Sequence, residues 1–297
     1  MEIRVLRYFL AAVREGSITG AANHLHLTQP TLSRQIRELE EELGQQLLIR
    51  KSHRIELNPQ GVLFRKRAEE IIAMVDKTEA EFSSMEDTIS GDIYIGGGET
   101  QAIRQVADIM KELRDSYPDI HYHLFSGNAQ DVTERLDKGL LDFGLLIQPA
   151  DISKYDYLNL PAKDTWGVIM PKNCPLAQKA FIEKKDLLGV PLICSRQAIL
   201  PQQTGNEFAD WFGEDFEKLN IITTFNLVYN ASIMVEAGIG YAVTIDKLAN
   251  TSKDSVLCFR PLSPQLDSGL NIVWKKYQVF SPAAELFLKK LKEKFSD

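Results

Sequence analysis

Apolar residues recur every three or four positions through the first 43 residues, which is the spacing of one face of a helix. The pattern predicts a first helix that stops at Gly16, a second over residues 18–25 and a third over residues 28–43. Ser17 and Thr28 stand where they can cap the second and third helices. Three helices of these lengths, joined by short turns, predict a helix-turn-helix unit.

The third helix has one apolar face and one face that can donate hydrogen bonds. Its apolar stripe consists of Leu32, Ile36, Leu39 and Leu43. The opposite face of its first half carries Gln29, Thr31, Ser33 and Arg34. Short or forked donors close to a helix N-terminus can reach base edges and phosphates in a major groove. The acids Glu38, Glu40, Glu41 and Glu42 follow and are predicted to face away from nucleic acid, before Gly44 closes the helix.

A short hairpin is predicted after this helix. Residues 47–49 and 55–57 alternate as two strands around a basic turn that contains Arg50, Lys51, His53 and Arg54. The cations of such a wing can contact the DNA backbone or the minor groove. A solvated surface turn is the alternative interpretation.

A long helix is predicted to start at Asn58 and Pro59 and to continue to residue 89. Its apolar positions repeat at about 3.5 residues, as in a coiled coil: Phe64, Ala68, Ile71, Val75, Thr78, Phe82, Met85 and Ile89. Pairing with a second copy would give the twofold symmetry that places two reading helices in successive major grooves. Packing of the seam against its own chain is the alternative.

Strand and helix patterns alternate from Ser90 onward. Strands are predicted at 92–96, 121–125, 142–147, 166–170, 191–194, 221–226, 241–245 and 270–274, with helices at 100–114, 129–138, 206–212, 231–237 and 282–295. Such alternation predicts parallel sheets with ligands at the carboxyl ends of the strands. We expect a winged helix-turn-helix domain (1–61), a linker helix (62–89) and a two-lobed α/β domain (90–297). Lobe I takes about 90–162 and 268–297, and lobe II takes about 163–267.

The charge of the chain is unevenly distributed. The 297 residues carry a formal net charge of −7. Residues 1–67 hold eleven Lys/Arg against seven Asp/Glu, a net charge of +4, which leaves −11 for the rest. A basic head on an acidic body is typical of a polyanion-binding module joined to another domain. No apolar run reaches the roughly 20 residues that span a bilayer, and no signal-peptide pattern is present, so we expect a cytoplasmic protein without a membrane partner.

The segment 16–61 resembles the winged helix-turn-helix of LysR-type transcriptional regulators. The matching motifs are Ala21-Ala22, Gln29-Pro30, Leu32 to Ile36, Leu39-Glu40, Leu43-Gly44, Leu47-Leu48, Arg50, Pro59 and Gly61. The later part resembles the family in architecture, a periplasmic-binding-protein-like effector domain. The resemblance implies DNA contacts at Gln29, Pro30, Ser33 and Arg34, with wing contacts near His53 and Arg54. It further implies a homotetramer that binds double-stranded promoter DNA and contacts RNA polymerase. Asn58 and Ile245 depart from the family pattern, which usually has threonine and proline there.

A small-molecule effector is expected between the two lobes, with no cofactor. The candidate contacts lie at predicted strand ends and helix starts: Gly98, Thr100, Gln101, Ser126, Asn128, Ser195, Arg196 and Asn230. Exposed N–H groups and a positive dipole end at such places favour a carboxylate or another anion. The alternative is that each residue caps a helix or turns the chain.

Other classes of function are disfavoured by the sequence. Gly96-Gly97-Gly98 does not complete a GxGxxG motif, and neither a GxxxxGK[ST] loop nor a GxSxG elbow is present. His121 and His123 share one side of a strand without further metal ligands in view. Cys174, Cys194 and Cys258 fit no metal spacing, so reduced core thiols are favoured over a redox sensor at Cys194. A transport solute-binding protein is disfavoured by residues 1–61.

Overall fold

The computed structural model describes residues 1–51, 54–83, 89–199 and 207–296. The chain divides into two compact units, Met1–Phe82 and Ser83–Asp297. The predictions at His53 and Met85 lie outside the described residues. No helix of the described part is both long enough and apolar enough to cross a membrane.

The first unit contains the predicted helices and hairpin. Its elements are α1 (Ile3–Glu15), α2 (Ile18–His24), α3 (Gln29–Leu43), β1 (Leu48–Arg50), β2 (Ile55–Leu57) and α4 (Pro59–Ser83). The Ser17 hydroxyl accepts a hydrogen bond from the Gly20 N–H, and the Thr28 hydroxyl accepts one from the Thr31 N–H. Gly44 ends α3 in the left-handed conformation, with φ of 64°. The predicted caps are therefore confirmed.

The core of this unit lies between the three helices and the start of α4. Phe9, Leu32 and Ile36 are fully buried, and the Phe9 ring packs edge-on against Phe64 with centroids 5.0 Å apart. Gly61 allows α4 to approach the hairpin, because a Cβ there would lie 2.1 Å from the carbonyl oxygen of Leu47. The apolar stripes thus hold α3 with its polar face outward.

The predicted coiled-coil seam divides into two parts along α4. Its last predicted residue, Ile89, is not helical and packs against a core of the second unit. Phe64 and Ala68 pack within their own unit, as the alternative interpretation expected. Ile71 and Phe82 are exposed by 37% and 68%, and Val75 is half-buried. The second part of the seam therefore presents apolar side chains to the surface of its own unit.

The second unit is an α/β structure. Its strands are β3 (Gly91–Gly97), β4 (Ile120–Ser126), β5 (Phe143–Ile147), β6 (Tyr155–Pro171), β7 (Ile182–Glu183), β8 (Leu192–Ser195), β9 (Ile221–Phe225), β10 (Tyr241–Ile245), β11 (Leu257–Ser263) and β12 (Asp267–Lys275). Its α-helices are α5 (Ile103–Ser116), α6 (Ala129–Asp137), α7 (Lys184–Leu187), α8 (Glu207–Phe212), α9 (Val228–Glu236) and α10 (Pro282–Phe295). Single 3-10 turns occupy Pro175–Gln178, Gln197–Ile199 and Gly213–Lys218.

The strands form two lobes that share β6. The order β4-β3-β5-β12-β6 makes the sheet of lobe I, and the order β6-β10-β8-β9 makes that of lobe II, where β11 also pairs with β6. Within β6, Thr165 pairs with Asp267 of β12, and the next residue, Trp166, pairs with Ile245 of β10. Each lobe has its own apolar core.

Four expectations about this unit need correction. The sheets are mixed rather than parallel, because β12 runs antiparallel to β5 and β6, and β10 runs antiparallel to β6. The predicted strand 166–170 is the second half of β6, a 17-residue strand that begins in lobe I. The helix predicted from residue 100 begins at Ile103, because Thr100 accepts a hydrogen bond from the Ala102 N–H before the helix starts. The helix predicted from residue 231 begins at Val228.

Candidate functional site

The polar face of α3 lies open in the first unit. Gln29, Pro30 and Arg34 are exposed, whereas Thr31 and Ser33 are half-buried. The nearest acid to Arg34 is one turn later, with the Arg34 Nε 3.7 Å from a carboxylate oxygen of Glu38. An exposed pair at this distance holds the guanidinium weakly. The face predicted from sequence is therefore available to a nucleic acid.

The cations of the wing are partly engaged by acids of their own unit. The Arg50 guanidinium donates to a carboxylate oxygen of Glu40 at 3.2 Å. The Lys51 ammonium donates to Glu56 at 2.6 Å. Arg54 is exposed, and its carbonyl accepts the Lys51 N–H at 2.8 Å. The hairpin thus fixes where its cations sit beside α3.

Glu40 has a role that the sequence analysis missed. It is one of the four acids predicted to face away from nucleic acid, but unlike an exposed acid it is only 8% exposed. One of its carboxylate oxygens accepts hydrogen bonds from the N–H groups of Leu47 and Leu48, at 2.8 and 3.0 Å. Its burial could have been inferred from its position four residues after Ile36, which places it at the border of the apolar stripe. Glu40 therefore joins the recognition helix to the wing.

A cavity of about 80 Å³ lies between the two lobes of the second unit. Of the predicted effector contacts, Gly98, Asn128 and Ser195 line it. A neighbouring groove is lined by Gly98, Thr100, Gln101 and Ser126. Arg196 and Asn230 are exposed and are not among the described residues that line either space. The predicted set is thus divided among three places.

Several of these candidates also perform the structural roles that the alternative interpretation expected. The Asn128 side chain accepts a hydrogen bond from the Asp131 N–H and caps α6. The Thr100 hydroxyl donates to a carboxylate oxygen of Asp164 at 2.6 Å. The Gln101 amide donates to the Lys247 carbonyl at 3.1 Å.

Glu99 is a cleft residue that the sequence analysis missed. Its carboxylate accepts a hydrogen bond from the N–H of Val228, the first residue of α9. Glu99, Thr100 and Gln101 are consecutive, and we call them the clasp. Each side chain of the clasp makes a polar contact outside the lobe I strand that precedes it, two of them to residues of lobe II. The partners of Glu99 and Gln101 lie 129 and 146 residues further along the chain, so no local sequence pattern could predict these contacts.

Asp164 carries a buried carboxyl at the junction of the lobes. It is 2% exposed. Burial raises the pKa of this carboxyl above its ordinary value, while the Thr100 hydroxyl opposes the shift. Thr100 of the clasp thus contacts a carboxyl group whose ionisation is disfavoured by burial in the folded state.

The cysteines and histidines of the second unit have ordinary structural surroundings. Cys194 is buried, and its burial raises the pKa of the thiol to about 12. The His123 ring contacts Asp92 at 2.7 Å and stacks on Tyr94. Among the described residues, no cluster of three or more His, Cys, Asp or Glu could hold a metal ion.

We expect Cys194 to resist alkylation in the native protein. The thiolate is the reactive form, and a buried thiol with a raised pKa supplies little of it near neutral pH. Iodoacetamide at pH 7.5 should therefore modify the partly exposed Cys174 first, as measured by peptide mass spectrometry. Faster labelling of Cys194 than of Cys174 would contradict this and would revive the redox interpretation.

Proteins similar to this chain are transcriptional regulators of the helix-turn-helix type. The Bacillus subtilis strain 168 protein YybE, an uncharacterized HTH-type transcriptional regulator, is 27% identical over 303 residues, which span 100% of both chains. The Hca operon transcriptional activator HcaR of Escherichia coli K12 is 28% identical over 299 residues, spanning 100% of this chain and 99% of HcaR. The crystal structure of full-length CbnR complexed with its target DNA has the same fold, with a TM-score of 0.74, 19% identity and 99% coverage of each chain.

Two family models cover nearly all of the chain. The model of the bacterial regulatory helix-turn-helix protein, lysR family, matches residues 3–62. The model of the LysR substrate binding domain matches residues 86–296, which is more than half of the chain. This protein therefore belongs to the LysR family of transcriptional regulators, with an amino-terminal helix-turn-helix DNA-binding domain and a carboxyl-terminal substrate-binding domain.

Proposed function

We propose that the chain binds promoter DNA through α3 and the wing, and that a small molecule in the interlobe cleft switches its activity. The observation that carries the DNA-binding part is the open donor face of α3, held outward by the buried side chains of Leu32, Ile36 and Leu39. The proposed contacts are Gln29, Pro30, Thr31, Ser33 and Arg34, with Arg50, Lys51, His53 and Arg54 from the wing.

A gel-shift assay with the DNA beside its own gene tests this assignment. We expect binding to an interrupted palindrome, with the logarithm of affinity falling by about 0.9 per logarithm of salt for each phosphate neutralised. Absence of binding to any duplex at low ionic strength would refute it.

Arg34→Ala should weaken binding to the specific site by about 1–3 kcal/mol if the guanidinium reads a base edge. Arg65→Ala is the matched control, since Arg65 is also exposed but is paired with Glu69 on α4. Competition gel shifts with the site and a scrambled duplex measure both variants. An equal loss on scrambled DNA would reduce Arg34 to a phosphate contact.

We further propose that the DNA-bound form is built from pairs of chains. The exposed apolar residues on α4, including Ile71 and Phe82, suit a second copy of the same helix. On α9, Tyr229 and Ile233 are exposed by 69% and 46% and offer a second self-contact, as a homotetramer needs. Sedimentation at several protein concentrations tests this, and a monomer throughout would refute it.

The cleft is the proposed effector site. Its cavity of about 80 Å³ is roughly half the volume of a roughly 150 Å³ cavity that binds benzene. A ligand with an aromatic ring must therefore move the lobes apart, and it can shift the protein only as far as it prefers the opened arrangement. We propose that this movement changes the spacing or bend of the bound DNA.

The remaining assignments extend the same proposal. We propose functional boundaries at 1–61, 62–89 and 90–297, with lobe I formed by about 90–162 and 268–297 and lobe II by about 163–267. The regulator acts on cytoplasmic DNA and contacts RNA polymerase. DNase footprinting with and without the polymerase tests the last contact, and independent occupancy of the two proteins would count against it.

A further inference from the structure

The interlobe cavity is mainly apolar where the described residues line it. Aromatic rings come from Trp166, Phe208 and Phe225, with aliphatic side chains from Ile147 and Val228. The Trp166 and Phe208 rings stack with centroids 5.4 Å apart. None of the described lining residues is Lys, Arg or His. An apolar ligand body suits this lining, but nothing in it supplies a positive charge.

The cavity does contain one acid, and that acid sits at a helix N-terminus. The residue before α9, Leu227, has no side chain that can cap the helix. The Glu99 carboxylate reaches across from lobe I and accepts the Val228 N–H. Free N–H groups and the positive dipole end of a helix are what a bound anion would use. In this protein the Glu99 side chain already accepts one of these N–H groups, that of Val228.

Two cations that adjoin lining residues do not themselves line the cavity, although Lys247 lines the neighbouring groove. The Lys247 ammonium lies 2.7 Å from a carboxylate oxygen of Asp246. Arg196 is exposed and does not line the cavity. An incoming carboxylate would therefore meet the charge of Glu99 without a described cation in the lining to offset it.

We propose that Glu99 is the resident anion of the effector cleft and that it selects ligands without negative charge. The effector is then an uncharged or cationic molecule with an apolar body of aromatic size, rather than the anionic metabolite expected from the sequence. This assignment rests on the proposed function of the cleft. Like charges about 4 Å apart repel enough to weaken binding by at least about fivefold even in water, and more in a partly buried site.

The test uses the full-length protein and two matched probes, phenylacetate and phenylacetamide, which share a ring and differ in charge. Glu99→Ala vacates the N-terminus of α9, and Glu99→Gln keeps an acceptor there but removes the charge. Glu285→Ala is the control, because Glu285 is an exposed acid in the first turn of α10, which Ser281 still caps.

Thermal unfolding in the presence of each probe gives the readout. At roughly 10 mM, phenylacetate should raise the Tm of Glu99→Ala about 2–4 °C more than it raises that of the wild type or of Glu285→Ala. Phenylacetamide should show no such difference. Equal shifts by phenylacetate in the wild type and in the variants, including no shift in any, would overturn the proposal. If Glu99→Ala does not fold, the same comparison with Glu99→Gln decides.

Failure of the proposed function would look different. In that case phenylacetate would stabilise Glu99→Ala, yet the footprint of this variant on its DNA would be unchanged by the probe. The proposal that Glu99 excludes anionic ligands would then be supported, whereas the proposal that the cleft controls DNA binding would be refuted.

Discussion

Glu40→Ala should lower the free energy of unfolding of the DNA-binding unit by about 2–5 kcal/mol, because it leaves two buried backbone donors and a cation without an acceptor. The donors are the N–H groups of Leu47 and Leu48, and the cation is the exposed Arg50. Removal of a buried acceptor costs more than one hydrogen bond contributes, since the stranded donors have already lost their water. Urea unfolding followed by circular dichroism measures the loss.

Two further variants distinguish the loss of the buried acceptor from a general effect of removing a negative charge. Glu41→Ala changes the neighbouring residue of the same helix, and because Glu41 is exposed the effect should stay within about 0.5 kcal/mol. Glu40→Gln keeps an acceptor oxygen and should lie between the two. The affinity for DNA should fall with Glu40→Ala as well, because Arg50 loses the partner that holds it. If Glu40→Ala and Glu41→Ala were equally mild, the link between α3 and the wing would be energetically unimportant.

The local features of the fold were predictable because their causes lie within a few residues. The stripe of α3, its cap at Thr28 and its end at Gly44 depend on spacings of three and four residues. Both caps are confirmed, and the stripe is confirmed for Leu32, Ile36 and Leu39, whereas its last residue, Leu43, is 38% exposed. The same holds for Ser17 and α2. Amphipathic periodicity and capping are written into consecutive positions, so one sequence is enough to recognise them.

Features that depend on distant partners were missed. Only the second half of the 17-residue β6 was predicted, because its continuous buried run begins where the strand joins the sheet of lobe II. The strand β11 was not predicted, and it pairs with β6 in lobe II. No local pattern shows that Glu40 accepts hydrogen bonds from Leu47 and Leu48, or that Glu99 accepts one from the first residue of α9.

The candidate site shows the same division. The open face of α3 could be predicted from the periodicity of its apolar residues. The effector candidates were predicted only from their places at strand ends and helix starts, and of these Gly98, Asn128 and Ser195 line the cavity. The anionic effector was expected because helix N-termini attract anions. The fold places an acid of the protein itself at the N-terminus of α9. Charge in the cleft therefore depends on tertiary structure more than on any motif.

Thr100→Val should destabilise the second unit by about 1–3 kcal/mol at pH 7, since a buried carboxylate loses its hydroxyl donor. Thr100 and Asp164 are 4% and 2% exposed, and their side-chain oxygens are 2.6 Å apart. Valine has nearly the same shape, so the change removes the hydrogen bond with little loss of packing. The Ala102 N–H also loses its acceptor. Thermal unfolding of the full-length protein measures the shift.

The sign of the pH dependence follows from the raised pKa of Asp164. Burial disfavours the ionised carboxyl in the folded state, so its penalty is absent below the unfolded pKa of about 3.9. The penalty grows as the pH rises through the raised folded pKa. The Thr100 hydroxyl favours the ionised form, so Thr100→Val should cost more at pH 7 than at pH 4. Asp164→Asn removes the penalty and should gain stability relative to the wild type as the pH rises over the same range.

The double variant Thr100→Val/Asp164→Asn measures the interaction between the two side chains. In the Asp164→Asn background, Thr100→Val should cost less at pH 7 than it does alone, because no charge is left without its donor. Thr133→Val is the matched control, since the Thr133 hydroxyl only bonds back to carbonyls of its own helix. Its effect should be small and independent of pH. A loss from Thr100→Val that is the same at pH 4 and pH 7 would show that the hydroxyl does not act on the charge of Asp164.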